Sequence, residues 1–575
     1  MSGVWALAVA GVLGVVLSAH SQEPESIQIR IIYPTDKMSL PAMDRTFIYG
    51  SVFPPYARVT VNGIDSPVVQ SSLGGWMALV PIQSGKFPLI VQADAGDGRI
   101  ETRAISVKVD KAAQVSASAA VPIADQAVHK PKEEKILKPT RIGRIVSDTV
   151  FLRSGPDEGT EQAGFEVRLQ KDVLVHVVGQ IDKNLHVRLS DVESLWIDAF
   201  AVRLLPRQTP IPESWINGWT VHRLGRISAS GAPSAGVSDA GRISRSAAPS
   251  AGVSDAGRIS RSAAPSAGVS DAGRSTIIST TLQELIPYRV IPAVDGRSIS
   301  LRLYGGVANT DWIHYAADDP WIRLAVWSQP MEHVYQLDLD LRRPIWGYDI
   351  RYENRKLILE LYDPPGISLP ASPAERPSRR RDRLSAETPT QTLSGVRIGV
   401  DPGHPPLGTF GPMATQEHAV NWLLAIQLRD ALITRGASVF LTRQDQETVP
   451  LPDRVVRARA AGSDLFVSIH TNGLPAGADP FQMNGYSVFY FQPFSHPLAE
   501  SVHGAMRDQI PLRDDGLHFG NFHVIRQTFM PSILIECAYL IWPPEEELLL
   551  NPNFQARIAH AVASGIEQFV RERAE

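Results

Sequence analysis

Near residue 395 the hydrophobic period of this 575-residue chain changes. Upstream, short runs alternate polar and apolar residues between turn signals, as half-buried strands do. Downstream, apolar runs alternate with stretches of helical spacing, the pattern of an α/β layer fold. At roughly 150 residues per domain, the length asks for about four domains rather than one core. The reading is a multidomain chain: three all-β modules followed by a C-terminal α/β domain whose mostly parallel or mixed sheet is flanked by helices.

The upstream part divides by composition. Residues 22–110 carry alternating runs at 27–32, 47–52, 57–61 and 105–109, separated by turn signals such as Asn62-Gly63 and Gly74-Gly75, which predicts an immunoglobulin-like β-sandwich. Residues 111–140, rich in Ala, Lys, Pro and Glu without periodicity, read as a linker. Strands resume over 141–206. There the turn Leu152-Arg153-Ser154-Gly155-Pro156, a Val-rich run at 174–179 and a late Trp196-Ile197 resemble the bacterial SH3-like domain, a module that grips wall polymers or serves as a spacer. Residues 207–275 hold a 16-residue repeat: Gly225-Arg226-Ile227-Ser228 recurs at Gly241 and Gly257 and, truncated, at Gly273-Arg274. The repeat is too short for helical solenoids and too poor in apolar residues to offset chain entropy, which predicts disorder. Residues 276–364 alternate again as a third β module, and 365–394 form a basic, Pro-rich linker with Arg379-Arg380-Arg381.

Composition narrows the partners. With 43% apolar and 20% charged residues the chain is neither wholly disordered nor an integral membrane protein, and a net charge of −4 offers no field for nucleic acid. One cysteine, Cys537, excludes an intramolecular disulfide and any Cys-based cluster, so a metal would need His, Asp or Glu ligands. The apolar run Val4–Leu17 is shorter than the ~20 residues that span a bilayer. It reads as the core of a signal peptide over 1–21, with Ala19 and Ser21 placed for cleavage, and hence as export to the periplasm or cell wall without a transmembrane anchor after cleavage. Because no Lys or Arg precedes the run, an uncleaved amino-terminal anchor is the alternative.

In the last segment three ionisable residues each follow an apolar strand: His404 after 396–400, His470 after 465–469 and Glu536 after 533–535. Ligand sites of open α/β sheets lie beyond the carboxyl ends of strands. Glu417, at the start of a helix closed by Gly436, can face the same rim. Two imidazoles and a carboxylate make a three-ligand zinc set with a fourth position for water, and a further Glu can act as general base. Singly, a His after a strand is more often a rim residue and Glu417 an ordinary helix-start carboxylate, while Glu536, closing an apolar run, is costly to bury without a partner or a role, so the pattern leaves metal-dependent hydrolysis and plain structural roles both open.

The order of motifs resembles the catalytic domain of zinc-dependent N-acetylmuramoyl-L-alanine amidases, the amidase 3 family. The motifs are Asp401-Pro402-Gly403-His404, Glu417 with Asn421, Leu441-Thr442-Arg443, Leu451 and Arg454, the run from Asp464 to Asn472, and Pro531 to Glu536. The resemblance implies that His404, Glu417 and His470 hold Zn2+ and that Glu536 serves as base and then acid. The bond implied is the amide between N-acetylmuramic acid and the L-alanine of the peptidoglycan stem. Asn472 and Arg526 are candidate substrate-binding groups, Arg443 and Arg454 structural ion-pair residues, and His518 and His523 lie on the approach to the catalytic strand. His496 and His503 are expected on an exposed helix face. Residues 276–364 are then similar to amidase-associated modules that bind the wall, and the β modules could also meet a protein activator or envelope component. Pro405-Pro406 stand where the family usually carries two glycines. Only Gly473–Gly485 lies where some relatives carry an inhibitory helix, which implies that this form of autoinhibition is absent. A zinc peptidase cutting within the stem, or an inactive wall-binding protein, are the alternatives.

Overall fold

The computed structural model describes residues 26–63, 68–111, 133–156, 165–224, 275–316, 319, 321–365, 391–406 and 408–574. The expected signal peptide, the repeats from 225 to 274 and most of the basic linker lie outside the described residues.

Alternation produces two packed sheets in the first module. Strands Gln28–Tyr33, Arg45–Phe53, Gly75–Pro81 and Val68–Gln70 form one, and Ser39–Leu40, Ile100–Val109, Gly85–Asp94 and Arg58–Val61 the other. Along Gly85–Asp94, Leu89, Val91 and Ala93 point inward and their neighbours outward, so the period of two places one face on a core built around Trp76, Ile48 and Leu40. Asn62 and Gly63 both take positive φ, 54° and 61°, as that dipeptide does in a tight turn.

The second module is a seven-stranded antiparallel sheet running from Lys135 to Leu204. The third pairs a five-stranded sheet with a four-stranded one over Ser214–Tyr362. Three expected boundaries need correction. Strand Lys135–Ile145 begins inside the presumed 111–140 linker; its Lys residues and Pro139 hid a strand that is specified by its pairing with Leu174–Ile181. Strand Ser214–Leu224 lies inside the span assigned to disordered repeats. There the register shifts opposite Asn217, where the partner strand Gly306–Tyr315 carries extra residues between Ala308 and Trp312, and a Cβ on Gly218 would sit 2.8 Å from the Trp312 ring that covers it. Residues 391–394, assigned to the basic linker, fold with the C-terminal domain, where Leu393 is fully buried.

Nor do the modules hang separately. The second and third share one hydrophobic core, crossed by a hydrogen bond from Leu174 N to Leu285 O at 2.8 Å. The third docks on the C-terminal domain: Trp346 Nε1 donates to Asp464 O at 2.6 Å, and Tyr348 N donates to Thr528 O at 2.7 Å.

The C-terminal domain carries a six-stranded sheet in the order Ser438–Leu441, Arg397–Pro402, Leu465–Asn472, Ser532–Tyr539, Tyr486–Tyr490, Asp514–Phe519. The first four are parallel; Tyr486–Tyr490 runs antiparallel to Ser532–Tyr539 and parallel to Asp514–Phe519, so the sheet is mixed. Helices Glu417–Thr434, His496–Gln509 and Pro552–Ala574 pack together on it. Gly436, at φ 94°, ends the first of these helices as its position predicts.

Leu224 and Ser275 are partners on adjacent antiparallel strands, so the repeats leave and re-enter the third module at one point. Replacing residues 225–274 with a four-residue turn is expected to keep the register and to raise unfolding free energy by up to about 2 kcal/mol, the loop-closure difference. Denaturant unfolding measures it; loss of the folded module would show that the repeats carry contacts the fold needs.

Candidate metal centre

Three elements bring the predicted ligands together. His404 leaves the carboxyl end of Arg397–Pro402 in a left-handed conformation, φ 57°, which turns the chain back over the sheet. Glu417 opens the helix Glu417–Thr434 and is 4% exposed. His470 lies on Leu465–Asn472. Their donor atoms all fall within 4.8 Å of one another. His404 Nε2 and His470 Nδ1 stand 3.3 and 3.4 Å from Glu417 Oε1. Ligands bound to zinc at 2.0–2.1 Å in a tetrahedron are separated by roughly 3.3 Å, so the donor set and the spacing of each imidazole from Glu417 fit that ion.

Gly403 explains the tight motif around the first ligand. A Cβ there would lie 2.4 Å from the His470 ring, so only glycine lets the two imidazoles approach, with ring centroids 5.1 Å apart. Burial disfavours the charged forms of both Glu417 and His404. Hydrogen bonds to the two imidazoles nevertheless hold the Glu417 carboxyl well below the usual range, and the bond to Glu417 raises His404. Asn421, one helical turn on, is fully buried and donates to Glu417 Oε1 at 3.3 Å, while Thr471 donates to Asn421 Oδ1 at 3.3 Å. This outer ring orients the carboxylate.

Glu536 sits beside the ligands by register, opposite His470 on the neighbouring strand. The strand runs on to Tyr539 rather than ending at Glu536, and His470 likewise lies within its strand rather than after it. The residue is partly open to solvent, yet its Oε2 is buried and has no hydrogen-bond partner among the described residues. Burial, then the Glu417 charge, pushes its pKa well above the ordinary carboxylate value. A carboxyl group with one free buried oxygen next to a cation site is suited to moving protons. Cys537 beside it is fully buried, as expected of a hydrophobe, and burial pushes its thiol up.

The His404 turn is held from below by two arginines. Arg454 and Asp401, each 1% exposed, pair at 3.1 Å. Arg454 also donates to the carbonyls of Pro402, His404 and Pro405 at 2.8, 3.0 and 3.1 Å. Asp401 accepts from Ser468 at 2.8 Å and from Thr442. Arg443 donates to Pro402 O at 2.7 Å, Gly403 O at 3.0 Å and His418 O at 3.1 Å. Arg454 is thus the structural ion-pair residue expected, whereas Arg443 works on carbonyls and makes no ion pair among those described.

Other candidates lie apart from this network. Arg526 donates from Nε and Nη2 to Asn521 at 2.6 Å, a bracing of its own loop. Asn472 ends its strand, and its carbonyl accepts from Leu540 N at 2.9 Å. His518 Nε2 contacts Asp515 O at 2.7 Å, and His523 is in a single 3-10 turn, its pKa lowered by burial and then by Arg526. His503, expected to be exposed, is instead half-buried and paired with Asp514 at 2.7 Å, because the edge strand Asp514–Phe519 packs beside its helix.

Two carboxyls escaped the sequence reading, Glu545 and Glu546, because a Pro-Pro-Glu-Glu-Glu run looks solvated. Glu545 accepts from Tyr539 N at 2.6 Å, and Glu546 accepts from Met413 N at 3.0 Å, tying strand Ser532–Tyr539 and the 411–415 turn to one short helix. Burial pushes both pKa values up to about 7.

The sequence profile described as N-acetylmuramoyl-L-alanine amidase matches residues 398–568. Over 347 residues the chain is 28% identical to the N-acetylmuramoyl-L-alanine amidase AmiC of Neisseria meningitidis, covering 49% of this chain and 82% of that protein. The sporulation-specific N-acetylmuramoyl-L-alanine amidase of Bacillus subtilis is 30% identical over 182 residues, 30% of this chain and 68% of that one. Some curated relatives are spanned over only 59% of their length. Among solved structures, the amidase AmiC2 of Nostoc punctiforme is 30% identical and covered over 99% of its chain, with 31% of this chain matched at a TM-score of 0.29.

Glu545 and Glu546 ionise near 7 in the fold against about 4.3 when unfolded, so their neutral forms contribute stability that is complete below pH 4 and fades as pH rises through 7. Between about pH 5 and 7.5 the thermal midpoint of Glu546→Gln should fall less than that of the wild type. Equal slopes would refute the burial argument. In the same domain, Gly403→Ala should displace the His470 ring and weaken zinc binding by about tenfold or more, read by chelator competition.

Proposed function

This chain belongs to the N-acetylmuramoyl-L-alanine amidase family, and on that premise we propose that it is a peptidoglycan hydrolase cleaving the amide between N-acetylmuramic acid and the L-alanine of the stem peptide. The observation that carries the proposal is the convergence of His404, Glu417 and His470 within 4.8 Å beside Glu536.

His404, Glu417 and His470 would hold Zn2+. When bound, that ion would supply Lewis-acid polarisation of the scissile carbonyl and acidify the attacking water. Glu536 accepts the water proton and returns it to the departing amine of L-alanine. Burial makes it a stronger base than an ordinary carboxylate, and once protonated the same group is the acid that serves the leaving amine. Asn421 and Thr471 keep the Glu417 carboxylate turned toward the imidazoles. Asn472, at the end of the His470 strand, and Arg526, which also braces its loop at Asn521, are the proposed contacts for the stem peptide.

The three β modules are proposed to locate the enzyme: the first as an immunoglobulin-like sandwich, the second as an SH3-like module, the third as a wall-binding module that also offers a surface for an activator. The leader-like run Val4–Leu17 supports export to the periplasm or cell wall. No helix among the described residues is long and apolar enough to cross a membrane.

Two measurements test this reading. Digested sacculi analysed by mass spectrometry should yield intact stem peptides with a free L-alanine amine; cuts within the stem would identify a peptidase, and no product would identify a binding protein. Glu536→Ala should retain zinc while turnover falls by about 100-fold or more. Parallel loss of metal and activity would show that Glu536 is a ligand instead.

A further inference from the structure

The stretch 408–416, which leads into the second ligand, is fastened on two sides. Inside, Thr409 N donates to Glu417 Oε2 at 2.8 Å, and Glu417 N donates to Thr409 O at 3.0 Å. Outside, the next carbonyl, that of Phe410, accepts the hydroxyl of Tyr49 at 2.9 Å. Tyr49 belongs to the N-terminal sandwich, 361 positions away in the chain. It sits in an apolar seam with Phe47, Met77 and Ile541, against which Leu474 and Trp542 pack.

The same edge of the sandwich reaches the second loop at the site, the 473–485 segment after the His470 strand. Arg45 approaches Asp479 at 3.9 Å, and Met43 Cε would meet a Cβ on Gly477 at 3.3 Å. A second docking point is made where Ser72 N donates to Glu547 Oε2 at 2.9 Å and the Ser72 hydroxyl donates to Glu547 Oε1. Between the two points the surfaces are in contact: a Cβ on Gly75 would lie 3.2 Å from Pro412. The sandwich therefore borders both loops that flank the ligand set.

We infer that the N-terminal sandwich is a working part of the metal centre, with Tyr49 a positioning residue that holds the 408–416 stretch, and through Thr409 the Glu417 carboxylate, in the conformation that receives the ion. The inference rests on the metal-site reading above. Ordering a loop when an ion binds subtracts from affinity, and a loop ordered beforehand avoids that cost. One ordinary hydrogen bond corresponds to about a fivefold change in affinity, or about 1 kcal/mol.

The test uses the full chain with Tyr49→Phe, which keeps the ring in the seam and deletes the bond. Amide hydrogen exchange without metal should quicken over 409–415 and stay unchanged in the sandwich strands and in Leu465–Asn472. Zinc dissociation, measured by chelator competition, should strengthen in the same variant, with Kd rising about three- to fivefold. Ser72→Ala, which deletes the hydroxyl bond at the second docking point, should leave zinc affinity as it was. Wild-type exchange and affinity in Tyr49→Phe would overturn the inference, as would an equal weakening by Ser72→Ala, since that would assign the effect to docking in general. A wild-type chain that binds no zinc would instead sink the metal-site reading, with the exchange comparison still reporting on Tyr49.

Discussion

The site depends on a charge pair that never sees solvent. Asp401 lies one residue before the end of the strand that delivers His404, and its carboxylate gathers Ser468 from the next strand, Thr442 from just past the strand on the other side, and Arg454 from a helix. A buried ion pair gains little over an apolar substitute in stability, because both partners lose water. Its value here is directional. Arg454 has donors left over after Asp401, and it spends them on the carbonyls of Pro402, His404 and Pro405, which fixes the path of the turn that aims the first imidazole. An apolar pair could fill the same volume but could not hold three carbonyl oxygens. Arg443 adds the same service one strand over.

The catalytic segment was legible because its chemistry and its periodicity coincide. His404, His470 and Glu536 each stand at the end of, or late within, an apolar run, and a parallel sheet brings such positions to one rim whatever the loops between them do. What escaped was set by contacts far apart in sequence. Nothing local marks Glu545 or Glu546 as buried, since burial there comes from the 411–415 turn and from strand Ser532–Tyr539 folding over them. His503 looked exposed for the same reason: its partner Asp514 arrives from an edge strand that helical spacing cannot foresee. Composition marks none of the boundaries at Lys135, Ser214 and residue 391: two begin a charged or Gly-bearing strand that its neighbours specify, and the third is a turn buried through Leu393 against the C-terminal domain.

Modular sequence did not mean modular structure. The second and third β modules grow a single core, the third is bonded to the catalytic domain through Trp346 and Tyr348, and the first reaches it through Tyr49 and Ser72. Linkers in the chain therefore do not measure independence in space. The rim that carries His404, Glu417 and His470 therefore keeps a fixed attitude to all three β modules, and anything those modules hold is held in register with it.

The pairing of Leu224 with Ser275 has an evolutionary corollary. Sixteen-residue units inserted at a doorway between two already paired strands can be gained or lost in whole multiples by slippage during replication, and the sheet on either side registers no change. Selection on the enzyme would then be blind to copy number except through the length of the excursion itself, which makes this segment the place where closely related chains should differ most in size.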